Sequence, residues 1–289
     1  MTSNQETKRK AVRRRLRDDF SYYSQKALRI RTKDSEIVPF KLNKAQEYLH
    51  DVVEAQVKDR GLVRVIILKG RQQGLSTYVG GRMYHNISQR RAAKGLVMAH
   101  KADSTKTLFE MTKRYHDNVP EILKPSTKYS SKRELTFDEL DSSYIVATAG
   151  GEGVARGETL THLHASEIAF WPASTARDIW SGLEDAIPSA RGTMMFIEST
   201  ANGMGTLFHD LWQGAVAGEN GFHPVFIPWY WQDEYREPAP EGLIPSPDEE
   251  KLIAAYGLDY DQLYWRRLKI GRKGAELFKQ EYPFTPEEA

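Results

Sequence analysis

Residues 62–68 (LVRVIIL) form a short run of branched apolar residues that passes straight into a polar, glycine-bounded loop, Lys69-Gly70-Arg71-Gln72-Gln73-Gly74. A helix-like pattern follows over residues 76–92. A run of that length and composition reads as a strand buried on both faces, and such strands belong to parallel sheets covered by helices. The rest of the chain repeats the alternation. Strands are expected at 95–99, 160–165, 193–197 and 222–227, and helices at 45–57, 104–119, 175–186 and 206–217, with Ser104 as the N-cap of the second. Two further short strands, 135–137 and 144–147, flank a polar turn. This pattern restricts the fold class to α/β, a mostly parallel sheet flanked by helices on both faces.

Composition narrows the chemistry. The chain has 289 residues and no cysteine, which removes disulfides, thiolate nucleophiles and cysteine-ligated zinc and fits a reducing compartment. It has no apolar run long enough to span a bilayer and no signal-peptide pattern. A formal net charge of +2 conceals an asymmetry: residues 1–33 carry +8 and the remainder −6. The basic segment 8–17 reads either as a solvated, frayed terminus or as a helix that contacts an acidic partner surface. Residues 233–248 are rich in proline and acid and read as a connector, followed by helical segments at 248–256, 259–270 and 273–282. The expected organisation is a basic arm at 1–37, a core at 38–231, and a connector with a small helical subdomain at 232–289.

The loop at residues 69–77 sits where backbone N–H groups and a helix N-terminus cradle phosphates. Laid on the pattern G-x-x-x-x-G-K-[ST], its second glycine is Gly74 and its hydroxyl is Ser76, with Thr77 following. Lys69 stands at the first glycine position and Leu75 at the lysine position, so the match is imperfect, and an ordinary strand–helix turn is the competing reading. A phosphate site needs a cation. Lys69 is the candidate, with Arg71 as a second contact, and Ser76 is placed to ligate Mg²⁺.

The strand at 160–165 ends in Ser166-Glu167. In P-loop ATPases the strand beside the loop usually ends in two acids, one for the metal shell and one to polarise the attacking water. Glu167 is the candidate for water activation, and Ser166 would be a weaker metal-shell partner. His162 and His164 share one face of this strand, as a metal pair or, the stronger reading, as packed histidines. Arg156, in the glycine-rich stretch before it, is either a loop arginine or a finger that stabilises charge on a transferring phosphoryl group. The strand at 193–197 runs into Glu198-Ser199-Thr200-Ala201-Asn202-Gly203. Ser199, Thr200 and Asn202 are suited to sensing the γ-phosphate and passing the signal on, although the segment is also a plain Asn-Gly turn.

Together these residues resemble the ATPase domain of the large terminase subunit of tailed bacteriophages. Gly70-Arg71-Gln72-Gln73-Gly74-Leu75-Ser76-Thr77 resembles that family's variant phosphate loop, in which an early basic residue replaces the usual lysine. Ser166-Glu167 is similar to its acidic motif, with Ser166 where aspartate is common. Arg156-Gly157 matches its trans-acting arginine finger, and residues 198–208 its coupling motif. Residues 39–46 (PFKLNKAQ) resemble a Q motif, which would put Gln46 on adenine. The resemblance spans residues 38–289 and implies a DNA-packaging motor that hydrolyses ATP with Mg²⁺ and translocates double-stranded DNA into a procapsid. Its implied partners are the portal protein, the small terminase subunit and further copies of itself in a ring, a pentamer on the portal. The implied place of action is the host cytoplasm, docked on the procapsid. A nuclease domain is expected beyond residue 289, so nuclease activity is not expected from this sequence. A helicase-like DNA translocase and a catalytically silent DNA- or capsid-binding module are the alternatives.

Overall fold

In the computed structural model, residues 3–131, 133–151 and 159–289 are described. The chain opens with helices α1 (Ser3–Asp18) and α2 (Phe20–Ala27) and a small antiparallel pair, β1 (Arg29–Arg31) and β2 (Ile37–Pro39). Then come α3 (Lys44–Asp59), β3 (Val63–Lys69), α4 (Leu75–Ile87), β4 (Lys94–Ala99) and α5 (Ala102–Asn118). Strands β5 (Thr127–Ser130), β6 (Glu134–Phe137), β7 (Ser142–Thr148) and β8 (His162–Ser166) follow. The remainder is α6 (Ala176–Asp185), β9 (Met194–Ser199), α7 (Leu207–Val216), β10 (His223–Ile227), α8 (Pro247–Tyr256), α9 (Tyr260–Lys273) and α10 (Ala275–Glu281).

Eight strands make one sheet in the order β10-β3-β9-β8-β4-β7-β6-β5. Every neighbour pair from β10 to β7 is parallel, and β6 and β5 add an antiparallel edge. The mostly parallel sheet expected from the sequence is therefore present, with helices on both faces. Strand β3 shows why: all seven of its residues are buried. Val65 and Ile67 join a core on one face with Tyr78, Met83 and Phe196, while Ile66 and Leu68 join a second core with Leu163, Phe208 and Trp212. Period-2 alternation sends successive residues to opposite faces. Each such side chain is worth about 1.5–3 kcal/mol on burial.

Several local expectations are corrected. The helix after the loop ends at Ile87 rather than at residue 92. Helix α5 begins at Ala102 with Lys101 as its N-cap, so Ser104 lies inside the first turn and is not the cap. Strands β1, β2 and β5 were not anticipated; three or four residues each give too short a pattern to read. The basic segment is helical. The folded body also begins before residue 38, because Leu16, Phe20, Tyr23 and Leu28 are buried in the same core as Tyr78 and Phe196. No helix among the described residues is long and apolar enough to cross a membrane.

After β10 the chain enters a separate aromatic core. Trp229 stacks on Trp265 at 5.1 Å and Tyr235 stacks on Trp265 at 4.4 Å, with Phe278, Tyr282 and Phe284 packed around them. Helix α8 starts with a capping box between Ser246 and Glu249, and Glu249 also takes a two-pronged hydrogen bond from Arg267. A second capping box, Asp259 with Gln262, starts α9. The loop that follows β3 meets this region at Glu281 of α10, whose carbonyl accepts from the Arg71 N–H, and at Tyr235, whose hydroxyl donates to the Arg71 carbonyl.

Candidate active site

Strands β3, β9 and β8 lie side by side, and their carboxyl ends meet at the loop of residues 69–74. That is where open parallel sheets bind ligands. In register, Glu198 pairs with Ile67 on one side and Ser166 on the other. Lys69, Glu198, His164 and Ser166 all project to the face covered by α4, since Ile67, Phe196 and their period-2 partners do.

Lys69 Nζ donates to Glu167 Oε1 at 2.8 Å and lies 3.9 Å from Glu198 Oε2. Its side chain is 6% exposed and that of Glu198 is fully buried. Burial alone would lower the lysine pKa, but the two carboxylates outweigh it and raise it above its ordinary value. Lys69 is thus a firmly charged ammonium held between two acids. Glu167 sits in the left-handed region at φ 51°, a conformation costly for a residue with a Cβ and typical of functional sites. Its second oxygen accepts from the Thr200 backbone N–H at 3.3 Å and the Ser199 hydroxyl at 3.4 Å. Asn202 donates to the Ala169 carbonyl at 2.9 Å, closing the segment after β9 onto the turn after Glu167. The three residues singled out for coupling therefore touch the candidate base or its own turn.

The loop is held from three sides. Gly74 (φ 75°) is the N-cap position of α4, and a Cβ there would lie 2.8 Å from Gln46 Nε2. Gln46 donates to the Gly74 carbonyl at 2.7 Å while its Oε1 accepts from the Asn43 N–H, and Asn43 donates to the Gln73 carbonyl. Both ends of the Gln46 amide are spent on positioning α3 and the loop. Gln73 is buried and donates to the Trp229 carbonyl at 3.3 Å; the exposed Gln72 (φ 53°) accepts at its carbonyl from Gln232. At Gly70 a Cβ would meet Trp229 Cα at 3.2 Å, which favours glycine. Leu75, at the usual lysine position, is buried in the α4-side core, and the Thr77 carbonyl accepts from Tyr115. The N–H groups of the first helical turn, Leu75 to Thr77, have no intrahelical acceptor and lie at the positive end of the helix dipole.

Arg71 behaves differently from Lys69. Its guanidinium pairs with Glu281 Oε1 at 2.7 Å, its N–H donates to the Glu281 carbonyl, and its carbonyl accepts from Tyr235. It ties the loop to α10 instead of lining the acidic cluster. The finger residue proposed from sequence, Arg156, lies outside the described residues.

Sequence reasoning missed Glu198. Its Oε1 accepts from Ser76 at 2.5 Å, from His164 Nε2 at 2.8 Å and from Ser166 at 3.1 Å. Burial would raise its pKa, yet Lys69, His164 and Ser76 together hold it below the ordinary carboxylate range. The signal was present in the sequence: Met194, Phe196 and Glu198 share one strand face, so the acid closes a buried apolar stripe. His164 is bound to this carboxylate, and His162 bonds to Thr161 and Asn86. They are packed, hydrogen-bonded histidines, as the stronger of the two readings held. The oxygen donors of Ser76 and Glu198 suit a hard dication such as Mg²⁺. Glu198 Oε2, buried and without a hydrogen-bond partner among the described residues, supports that fit.

No protein-family profile matches the sequence. In structure the chain is similar to the large terminase of bacteriophage HK97, with a TM-score of 0.64 at 15% identity over 91% of this chain. It spans about half, 53%, of the HK97 protein. The large terminase ATPase domain of Thermus phage P74-26 gives a TM-score of 0.54 at 16% identity, covering 84% of this chain and 93% of that one. A point mutant of the same domain gives 0.56. The chain has the fold of the large terminase ATPase domains.

Proposed function

We propose that the chain is the ATP-hydrolysing motor of a phage DNA-packaging terminase. The observation that carries this reading is the convergence of Lys69, Glu167, Glu198 and Ser76 at the carboxyl ends of three parallel strands, beneath a helix N-terminus, in a fold shared with terminase ATPase domains. The N–H groups opening α4 and the Lys69 ammonium receive the phosphates. Mg²⁺, when bound with the nucleotide, neutralises charge on the β- and γ-phosphates.

The chain's own residues then divide the work. Lys69 exchanges Glu167 for a phosphate oxygen. Release leaves Glu167 oriented by Thr200 and Ser199 and free to take a proton from the attacking water. Loss of the γ-phosphate returns Lys69 to Glu167, and the change reaches residues 199–202 through the same hydrogen bonds. From there it passes to α10, whose Gln280 donates to the Ala201 carbonyl at 2.9 Å and whose Glu281 grips Arg71. The helical part at 232–289 is the element that moves. Arg156 acts on the ATP of a neighbouring copy in a ring docked on the portal of a procapsid in the host cytoplasm, and the small subunit supplies the DNA. The exposed basic face of α1 is a candidate contact with the double-stranded DNA backbone.

Translocation along blunt duplex tests this reading, measured as displacement of a triplex-forming strand in the presence of ATP. Displacement without strand separation supports a packaging motor. Unwinding of a forked duplex supports the helicase reading, and absence of turnover at any protein concentration supports a silent binding module.

A further inference from the structure

Ser166 stands where a metal-shell aspartate is expected, and a neutral hydroxyl cannot take over that charge. The sheet supplies a replacement from the next strand. Strand β9 lies between β3 and β8, so its carboxyl end is nearer the phosphate loop than that of β8. Glu198, at that end, receives the Ser76 hydroxyl proton on Oε1 at 2.5 Å, which turns the Ser76 lone pairs away from the carboxylate. Ser166 itself donates to the same oxygen, and so does His164. Three donors therefore fix Oε1, whereas Oε2 is buried with no hydrogen-bond partner among the described residues and has the Lys69 ammonium 3.9 Å away.

A buried carboxylate oxygen left unpaired costs free energy unless something else comes to it. If Glu198 served only as a counter-ion for Lys69, direct contact would be expected, yet Lys69 hydrogen-bonds to Glu167. We propose that Glu198 is the metal-shell carboxylate of this site, orienting Ser76 as a metal ligand through Oε1 and accepting a metal-bound water at Oε2. Ser166 and His164 are positioning residues that lock its rotamer. This rests on the ATPase reading above, and it relocates the acid of the second motif from β8 to β9.

Glu198→Gln removes the charge while keeping an oxygen that accepts from Ser76, His164 and Ser166. The readout is binding of ADP by titration calorimetry, with Mg²⁺ and with EDTA, on the full chain. In the wild type Mg²⁺ tightens ADP binding. In Glu198→Gln that metal-dependent tightening falls by about 10-fold or more, the scale seen when carboxylates supporting a metal are lost, while affinity in EDTA does not fall, because the charge removed is a negative one beside Lys69. Tightening equal to that of the wild type overturns the proposal and leaves the ATPase reading intact. A wild type that binds no ADP under either condition overturns both. Should Glu198→Gln fail to fold, Glu198→Asp keeps the charge but withdraws it by one methylene. It must then show a smaller loss of metal dependence, and an unchanged dependence again overturns the assignment.

Discussion

Lys69 and Glu167, 98 residues apart in sequence, are joined by a 2.8 Å hydrogen bond between an ammonium and a carboxylate at the end of a parallel sheet. The lysine sits at the head of its loop, while Leu75, at the start of the following helix, is buried in the core. Removing it leaves Glu198 buried with one fewer compensating charge. Lys69→Met is expected to lower stability by about 3–5 kcal/mol, the scale for stripping one partner from a buried pair, and to abolish ATP turnover. Urea unfolding beside a phosphate-release assay checks both. Unchanged stability would mean that Lys69 is not the internal counter-ion.

Acid should weaken the fold before carboxylates titrate. Burial pushes His85 and His162 down to about 3, against an ordinary value near 6.5. Below the ordinary value the unfolded chain binds protons at both positions and the native state does not. Their contribution to stability is therefore full above pH 6.5 and is lost as pH falls towards 3. Two such groups give a slope of about 2.7 kcal/mol per pH unit once pH is well below 6.5. Burial shifts His50, His100 and His116 the same way. Urea midpoints at pH 7, 6 and 5 measure this, and a flat series contradicts it.

Gly74 combines a left-handed backbone with contact to Gln46. Gly74→Ala must bear the left-handed penalty of about 1–2 kcal/mol and displace the Gln46 amide, 2.8 Å from the new Cβ. The expected outcome is a modestly less stable protein with markedly weaker nucleotide binding. Equal binding by calorimetry would show that the loop tolerates the change.

The contact between Arg71 and Glu281 is half exposed on the arginine side, so it contributes little to stability. A double-mutant cycle with Arg71→Ala and Glu281→Ala should give an interaction energy of about 0.2–1 kcal/mol in unfolding. The same variants should uncouple ATP turnover from DNA, giving turnover that DNA no longer stimulates. DNA stimulation equal to that of the wild type would exclude α10 from the transmission route.

The parallel sheet was readable because β3, β4 and β9 carry short apolar runs spaced by helical patterns, a signal that local composition carries by itself. The loop and Glu167 were readable for the same reason, since each directly follows a strand. The stripe of Met194, Phe196 and Glu198 marks a buried acid in the sequence, but the contact of Glu198 with Ser76 comes from the lateral strand order that places β9 between β3 and β8. Arg71 illustrates the reverse. Proximity in sequence suggested a phosphate contact, and a partner 210 residues away redirects its guanidinium to α10. Gln46, read as a base-binding residue, holds the loop through its carbonyl.

The most direct test of the central claim is ATP hydrolysis by the wild type and by Glu167→Gln, with and without blunt duplex DNA, over a range of protein concentration. Glu167→Gln keeps the side-chain shape and removes the base, so turnover should fall by about 10²- to 10⁴-fold in a protein that still folds and binds ADP. Wild-type turnover should rise with DNA and more than linearly with protein concentration if copies complete one another's sites. Turnover in Glu167→Gln equal to that of the wild type would contradict the account.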